Sequence, residues 1–149
     1  MHKPWDHKIK LEEGFIHKKG HIIPLSDDEQ AELKEFIDSQ LAKEYTKPSK
    51  SVQTSPLFSI SKKDGKKCLI QDYCHLNSGM MKNNYPFSLI NNLIHQVHGC
   101  DMYTKMNLRW GYNSVRITNR DEWQAAFIML FESYKSLVMY FGICNAPLS

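Results

Sequence analysis

Tyr103-Thr104-Lys105-Met106-Asn107-Leu108-Arg109-Trp110-Gly111-Tyr112 is the stretch on which the fold turns. With Met102 it reads as a buried strand, Met102 to Met106, that runs into a turn at Gly111. Asn107 stands where the strand gives way to that turn.

Working outward from this strand, the sequence alternates between strand and helix periods. Toward the C-terminus, Gln124 to Phe131 and Leu137 to Phe141 read as two further strands, and Asn145-Ala146-Pro147 reads as the opening of a helix. Toward the N-terminus, Leu89, Ile90, Leu93, Ile94 and Val97 recur at helical spacing from about Ser88, with Gly99 as the stop. Before that helix, Leu57 to Ser61 and Cys68 to Tyr73 flank Lys63-Asp64-Gly65-Lys66, and Asp-Gly between two strand-like runs predicts a hairpin. Ser26 is an N-cap whose capping box is completed by Glu29, and Asp27 and Asp28 suit the positive end of the helix dipole. Leu33, Phe36, Ile37 and Leu41 give this helix its apolar stripe, and it should end near Tyr45, before Pro48. Residues 1–25 are polar, basic and irregular, with anchors at Trp5, Ile9, Leu11, Phe15 and Ile22, and read as an extended arm that packs on something. The fold class that results is α+β, with a mixed, mostly antiparallel sheet and packed helices.

The chain of 149 residues suits one ordinary domain, and its composition is that of a globular protein. A formal charge of +3 does not by itself point to a nucleic-acid partner. No apolar run reaches the ~20 residues that span a bilayer, and the start lacks the apolar core of a signal peptide. The expectation is therefore a protein of the cytoplasm or nucleus with no membrane partner and with reduced thiols. Cys68, Cys74, Cys100 and Cys144 contain no C-x-x-C pair. Cys68 and Cys74, read as one strand, would lie about 20 Å apart, too far to share a zinc ion. His95, His98 and Cys100 form an incomplete ligand set, and surface histidines are the better reading.

The strongest local charge feature is Lys62-Lys63-Asp64-Gly65-Lys66-Lys67 at the hairpin tip. Several ammonium groups there suit a triphosphate or a nucleic-acid backbone, although a solvated hairpin end has the same composition.

A set of short matches then runs through nearly the whole chain in order. They are Thr54-Ser55-Pro56, Lys62 to Gly65, Gln71-Asp72-Tyr73, Leu76-Asn77, Asn84-Tyr85-Pro86, Tyr103 to Met106, Leu108 to Tyr112, Glu122-Trp123, Ala125-Ala126-Phe127, Phe141-Gly142 and Asn145-Ala146-Pro147. Together they resemble the reverse transcriptases of gypsy-class LTR retrotransposons, which are RNA-directed DNA polymerases. The resemblance implies a truncated polymerase: an arm at 1–25, a fingers region at 26–100 and an incomplete palm at 101–149. It implies that Lys62 or Lys63 contacts the incoming nucleotide, that Tyr112 lies under its sugar, and that Phe141 and Gly142 lie near the nucleotide and template base. Lys66, Lys67, Arg109 and Arg116 are the further candidates for gripping nucleic acid. The implied partners are an RNA or DNA primer–template, a deoxynucleoside triphosphate and the remainder of a polyprotein, with Mg2+ as the cofactor of the parent family. For Tyr112 and Phe141 the plain alternative is core packing.

The departures from the family pattern bear on activity. Asn107 stands where the family has its first catalytic aspartate, and Cys68 and Cys74 stand where it has arginines. The Tyr-x-Asp-Asp hairpin that carries the other two aspartates, the thumb and the RNase H region have no counterpart in these residues. Nucleotide addition depends on magnesium clamping the attacking and leaving oxygens, and magnesium favours anionic oxygen ligands. Losing the ions removes several kcal/mol of transition-state stabilisation. A thiol also cannot reproduce the bidentate phosphate contact of a guanidinium. The expectation is a chain with a degenerate active site and no bound metal that does not polymerise DNA by itself. The alternatives are a residual nucleic-acid-binding module working through the lysine-tipped hairpin, and a decayed reading frame with no selected activity. An uncovered sheet edge should leave Met102, Met106, Ile128, Leu130 and Val138 poorly covered.

Overall fold

A computed structural model describes residues 3–61, 67–83, 90–108, 111–130 and 132–145. Lys62, Lys63, Lys66, Arg109, Trp110, Phe131, Asn84 to Pro86 and Ala146-Pro147 lie outside the described residues, as do the side chains of Lys67 and Cys68.

Helix α1 spans Asp27–Ala42, and its start follows from the capping box. The Ser26 backbone N–H donates to Glu29 Oε2 at 2.9 Å, and the Glu29 N–H donates to Ser26 Oγ at 3.4 Å. Its end is a Schellman turn. The Tyr45 N–H reaches the Gln40 carbonyl at 3.0 Å and the Glu44 N–H reaches that of Leu41 at 3.0 Å. Glu44 therefore takes φ +55°, a conformation that favours glycine. One face of α1 sends Leu33 and Ile37 into a core with Leu57, Phe127 and Tyr134. Each such buried aliphatic side chain contributes about 1.5–3 kcal/mol.

Among the described residues, five strands make one mixed sheet: β1 (Thr46–Pro48), β2 (Ser55–Ser61), β3 (Lys67–Gln71), β4 (Ala126–Ile128) and β5 (Ser133–Ser136). Their order is β1-β5-β4-β2-β3. Only β2 and β4 run parallel; the other three pairings are antiparallel. The β2–β3 hairpin predicted from Asp64-Gly65 forms, with Ser61 opposite Lys67 and Leu57 opposite Gln71. β1 is absent from the sequence reading. It contains Pro48, which a sheet tolerates at its edge, and β1 is an edge strand.

Two strand boundaries move. The run from Gln124 does not begin as a strand, because Glu122–Ala125 curls into a 3-10 turn before β4. The next strand is the polar Ser133–Ser136, not Leu137 to Phe141. β5 is held between β1 and β4, and these long-range pairings outweigh local apolar character. The strand expected from Cys68 to Tyr73 stops at Gln71. Asp72 Oδ1 accepts from the Cys74 N–H at 2.9 Å, and this Asx turn diverts the chain into helix α2, Cys74–Ser78. Cys68 and Cys74 thus do not share a strand.

Residues 3–25 of the arm pack on this same chain. The His7 N–H donates to the Arg116 carbonyl at 2.8 Å, the Met81 N–H to that of Lys10 at 2.9 Å, and the Gly20 N–H to that of Thr54 at 2.7 Å. Ile9 enters a second core with Tyr73, Leu76, Met80, Ile117, Met139 and Ile143. Trp5 is no anchor: it is 68% exposed.

Helix α3, Ile90–Val97, buries none of its residues, and Gly99 ends it at φ +84° as its position predicts. The stretch around Asn107 departs furthest from the strand that its sequence predicts. Residues 102–108 form no strand and lie exposed, with Met102 89% and Met106 81% accessible. A strand needs a neighbour for its N–H and C=O groups, and no described residue pairs with this one. Of the other residues expected to be poorly covered, Ile128 and Leu130 are half-buried, whereas Val138 is fully buried.

Candidate functional site

The structure brings two of the sequence-assigned residues together. Tyr112 begins a 3-10 turn, Tyr112–Ser114, and its ring backs partly onto the core around Ile117 and Leu76. Phe141 meets it edge to face, with ring centroids 5.3 Å apart and an interplanar angle of 85°. Such a pair contributes about 0.5–1.5 kcal/mol beyond the area it buries. Phe141 is nevertheless 78% exposed, so one ring is fixed at its base and open at its tip. Core packing accounts for Tyr112 in part; it does not account for Phe141.

Gly142 follows with φ +110°, a conformation that requires glycine. A Cβ there would come no closer than 3.7 Å to Tyr73, so conformation and not space selects the residue. Two asparagine amides hold the loop. Asn77 Nδ2 donates to the Gly142 carbonyl at 2.7 Å, and Asn77 Oδ1 accepts from the Cys144 N–H at 2.9 Å. Asn145 Nδ2 donates to the Met81 carbonyl at 2.9 Å, and Asn145 Oδ1 accepts from the Asn83 N–H at 3.1 Å. These positioning roles are not visible in the sequence, where Asn77 and Asn145 figure only as matched letters. An amide suits such a bracket because it offers a donor and an acceptor on one planar group.

The remaining assigned residues are not assembled. Asn107 lies exposed in the irregular stretch after α3. Lys62, Lys63, Lys66 and Arg109 lie outside the described residues, and for Lys67 and Cys68 only the backbone, paired in β3, is described. Arg116 is half-buried and forms an isolated bridge with Val138. Cys74 is exposed at the start of α2, and its hydrogen bond with Asp72 pushes the thiol above its ordinary range while lowering the carboxyl.

The family resemblance implies magnesium, an ion that favours anionic oxygen. Asn107 offers one neutral amide oxygen, and among the described residues no three His, Cys, Asp or Glu side chains come close enough to hold a metal ion. Around the site, burial pushes the Tyr73 phenol well above its usual range; it bonds to Gln71 and stays protonated. Burial also lowers the pKa of His7, with the Asp121 carboxylate opposing the shift.

No family model matches the chain. The transposon Tf2-3 polyprotein of Schizosaccharomyces pombe is 30% identical over 124 residues, which are 83% of this chain. The chain spans 9% of the length of that polyprotein. Among solved structures, the native prototype foamy virus protease-reverse transcriptase superposes with a TM-score of 0.78 at 18% identity, over 94% of this chain and 19% of that one. The foamy viral protease-reverse transcriptase in complex with double-stranded DNA gives a TM-score of 0.71 at 19% identity, over 98% and 28%. Its complex with an RNA/DNA hybrid gives 0.72 at 15% identity, over 94% and 19%. The chain is thus related to one segment of retrotransposon polyproteins and has the α+β fold of part of a retroviral protease-reverse transcriptase. Among the described residues, no helix is long and apolar enough to cross a membrane.

Proposed function

We propose that the chain is the fingers and partial palm of a gypsy-class retrotransposon reverse transcriptase, with a site that does not catalyse nucleotide addition as these residues stand. The relation to a Tf2 polyprotein and the shared fold support the lineage. The observation that carries the site is the Tyr112–Phe141 pair over the Gly142 turn. In this reading Tyr112 sits under a nucleotide sugar, Phe141 and Gly142 face the base, and Lys62 or Lys63 reaches the phosphates. Asn107 supplies no anion for magnesium, and Cys68 supplies no guanidinium for the triphosphate. Primer extension on an RNA template with Mg2+ and deoxynucleoside triphosphates tests the inactivity: no product is expected, and metal-dependent extension by the unmodified chain overturns it.

A second reading is favoured by the neighbours that hold double-stranded DNA and an RNA/DNA hybrid. Without catalysis, the chain grips a primer–template through Lys62, Lys63, Lys66 and Lys67, with Arg109 and Arg116. Affinity for a hybrid should then fall steeply with salt, and a salt-insensitive or absent interaction removes this reading.

A further inference from the structure

The face of α1 that buries Leu33 and Ile37 also buries Gln40, one turn further on. A glutamine at the end of an apolar stripe needs a partner for its amide. The Tyr140 phenol supplies one, donating to Gln40 Oε1 at 2.8 Å. A second pair repeats the arrangement at the end of β3, where the buried Tyr73 phenol donates to Gln71 Oε1. The two phenols are neighbours: burial raises the pKa of Tyr73, and Tyr140 adds to the rise. Thr46 and Ser136, both fully buried, stand opposite each other in the β1–β5 ladder, Ser136 beside Tyr73 and Thr46 beside Tyr140. Neither hydroxyl comes within hydrogen-bond distance of a partner among the described residues. The glutamine amides are therefore the groups that hold the two phenols.

Both tyrosines flank the turn that carries Phe141. Tyr140 directly precedes Phe141 in the chain. Tyr73 packs against the turn itself, with its Cδ2 3.7 Å from where a Cβ on Gly142 would stand. Ile143, just past the turn, is buried in the same core as Tyr73, and Tyr140 packs on that core. Phe141 is exposed between these anchors, and glycine at φ +110° gives the backbone freedom to swing unless its flanks are fixed. Packing fixes where a ring lies; a buried phenol is costly unless bonded, and its bond also fixes direction.

We propose that the Tyr73–Gln71 and Tyr140–Gln40 pairs form a buried clamp that sets the position of the Phe141–Gly142 turn, making both tyrosines positioning residues of the Tyr112–Phe141 site. That the site receives a nucleotide rests on the reading above; the clamp rests on these bonds alone. Asn77 holds the peptide of the turn from one side, and the clamp holds the chain that enters and underlies it.

Native-state hydrogen exchange on the full chain tests the clamp. The reporter is the Cys144 N–H, which donates to Asn77 Oδ1 at 2.9 Å, and the reference is the set of amides in the β4–β5 ladder. Tyr73→Phe and Tyr140→Phe each keep the ring and remove the hydroxyl, and each should speed exchange at Cys144 about tenfold relative to the ladder. Gln40→Met removes the acceptor from the far side and should reproduce the Tyr140→Phe pattern. Tyr134→Phe removes a phenol of the other core, bonded to Glu132, and should leave Cys144 at the parent rate. Exchange that rises equally at Cys144 and in the ladder, or that ignores both hydroxyls, reduces the tyrosines to core packing and overturns the proposal. A response of Cys144 to Tyr134→Phe of the same size overturns it as well. Binding of a fluorescent deoxynucleoside triphosphate, with primer–template present, is then measured on the same proteins. Weaker binding in Tyr73→Phe and Tyr140→Phe, and not in Tyr134→Phe, supports the clamp and the nucleotide reading together. If the parent chain binds none while Cys144 still responds selectively, the nucleotide reading fails and the clamp stands.

Discussion

Asn77 grips the Gly142 turn from both sides, donating to the Gly142 carbonyl at 2.7 Å while accepting from the Cys144 N–H at 2.9 Å. The contact links the last turn of α2 to a loop far along the chain and sets where Phe141 projects. Asn77→Ala removes both bonds and should cost about 1–2 kcal/mol, since the groups are half-exposed and water recovers part of the loss. Asn77→Asp keeps the acceptor but turns a carboxylate oxygen on the Gly142 carbonyl, so its cost should be no smaller than that of Ala. Urea midpoints at constant slope measure both, and a negligible effect of Asn77→Ala would show that the loop is held elsewhere.

A tighter constraint joins the arm to the end of α2. A Cβ on Gly79 would lie 1.9 Å from Phe15 Cδ2, closer than atoms tolerate. Gly79→Ala should therefore destabilise by about 1–3 kcal/mol, as overpacking does. Combining it with Phe15→Ala should recover part of that cost, and a double-mutant cycle reads the coupling. Strict additivity would mean that Phe15 does not occupy this position in solution.

Much of the fold was legible where local chemistry decides it. Ser26 and Glu29 announce α1, Gly99 ends α3, and the Asp-Gly signal in the sequence anticipates the pairing of β2 with β3. What escaped depends on distant partners. β1 exists because β5 lies beside it, and the polar Ser133–Ser136 is a strand because it is enclosed between two others. The stretch around Asn107 has strand character in its letters and finds no ladder among the described residues. At the site, Tyr112 and Phe141 could be named from their resemblance to family residues. Their edge-to-face contact, and the amides of Asn77 and Asn145 behind the loop, required three-dimensional closure.

Glu44 offers a gain in stability. It holds φ +55° at the end of α1, where a side chain costs about 1–2 kcal/mol relative to the right-handed region. Glu44→Gly relieves this, and the greater freedom of glycine in the unfolded chain offsets part of the gain. The net expectation is about 0.5–1 kcal/mol of stabilisation, seen as a higher melting temperature. A loss would mean that the Glu44 side chain makes a compensating contact.

His7 gives the fold a dependence on mild acid. Burial lowers its pKa from the ordinary 6.5, with Asp121 only partly opposing the shift. The unfolded chain therefore takes up the proton first as the pH falls. The contribution of neutral His7 is fully present above pH 6.5 and is lost as the pH drops through the lower folded value. Stability should decline below about pH 6.5, and His7→Gln should flatten that part of the profile. An unchanged slope in denaturation series across this range would assign the decline to other groups.

The apolar face of α3 should govern behaviour at high concentration. Ile90 is 74% exposed and Ile94 55%, and Leu93 and Val97 extend the same stripe at helical spacing. A contiguous apolar face in water favours association. Leu93→Lys together with Ile94→Lys should lower light scattering and raise the soluble concentration. Because α3 buries none of its residues, the pair should change unfolding free energy by no more than about 1 kcal/mol. If the double variant unfolds the chain instead, the stripe is covered within the folded monomer, and the exposure of α3 described above is wrong.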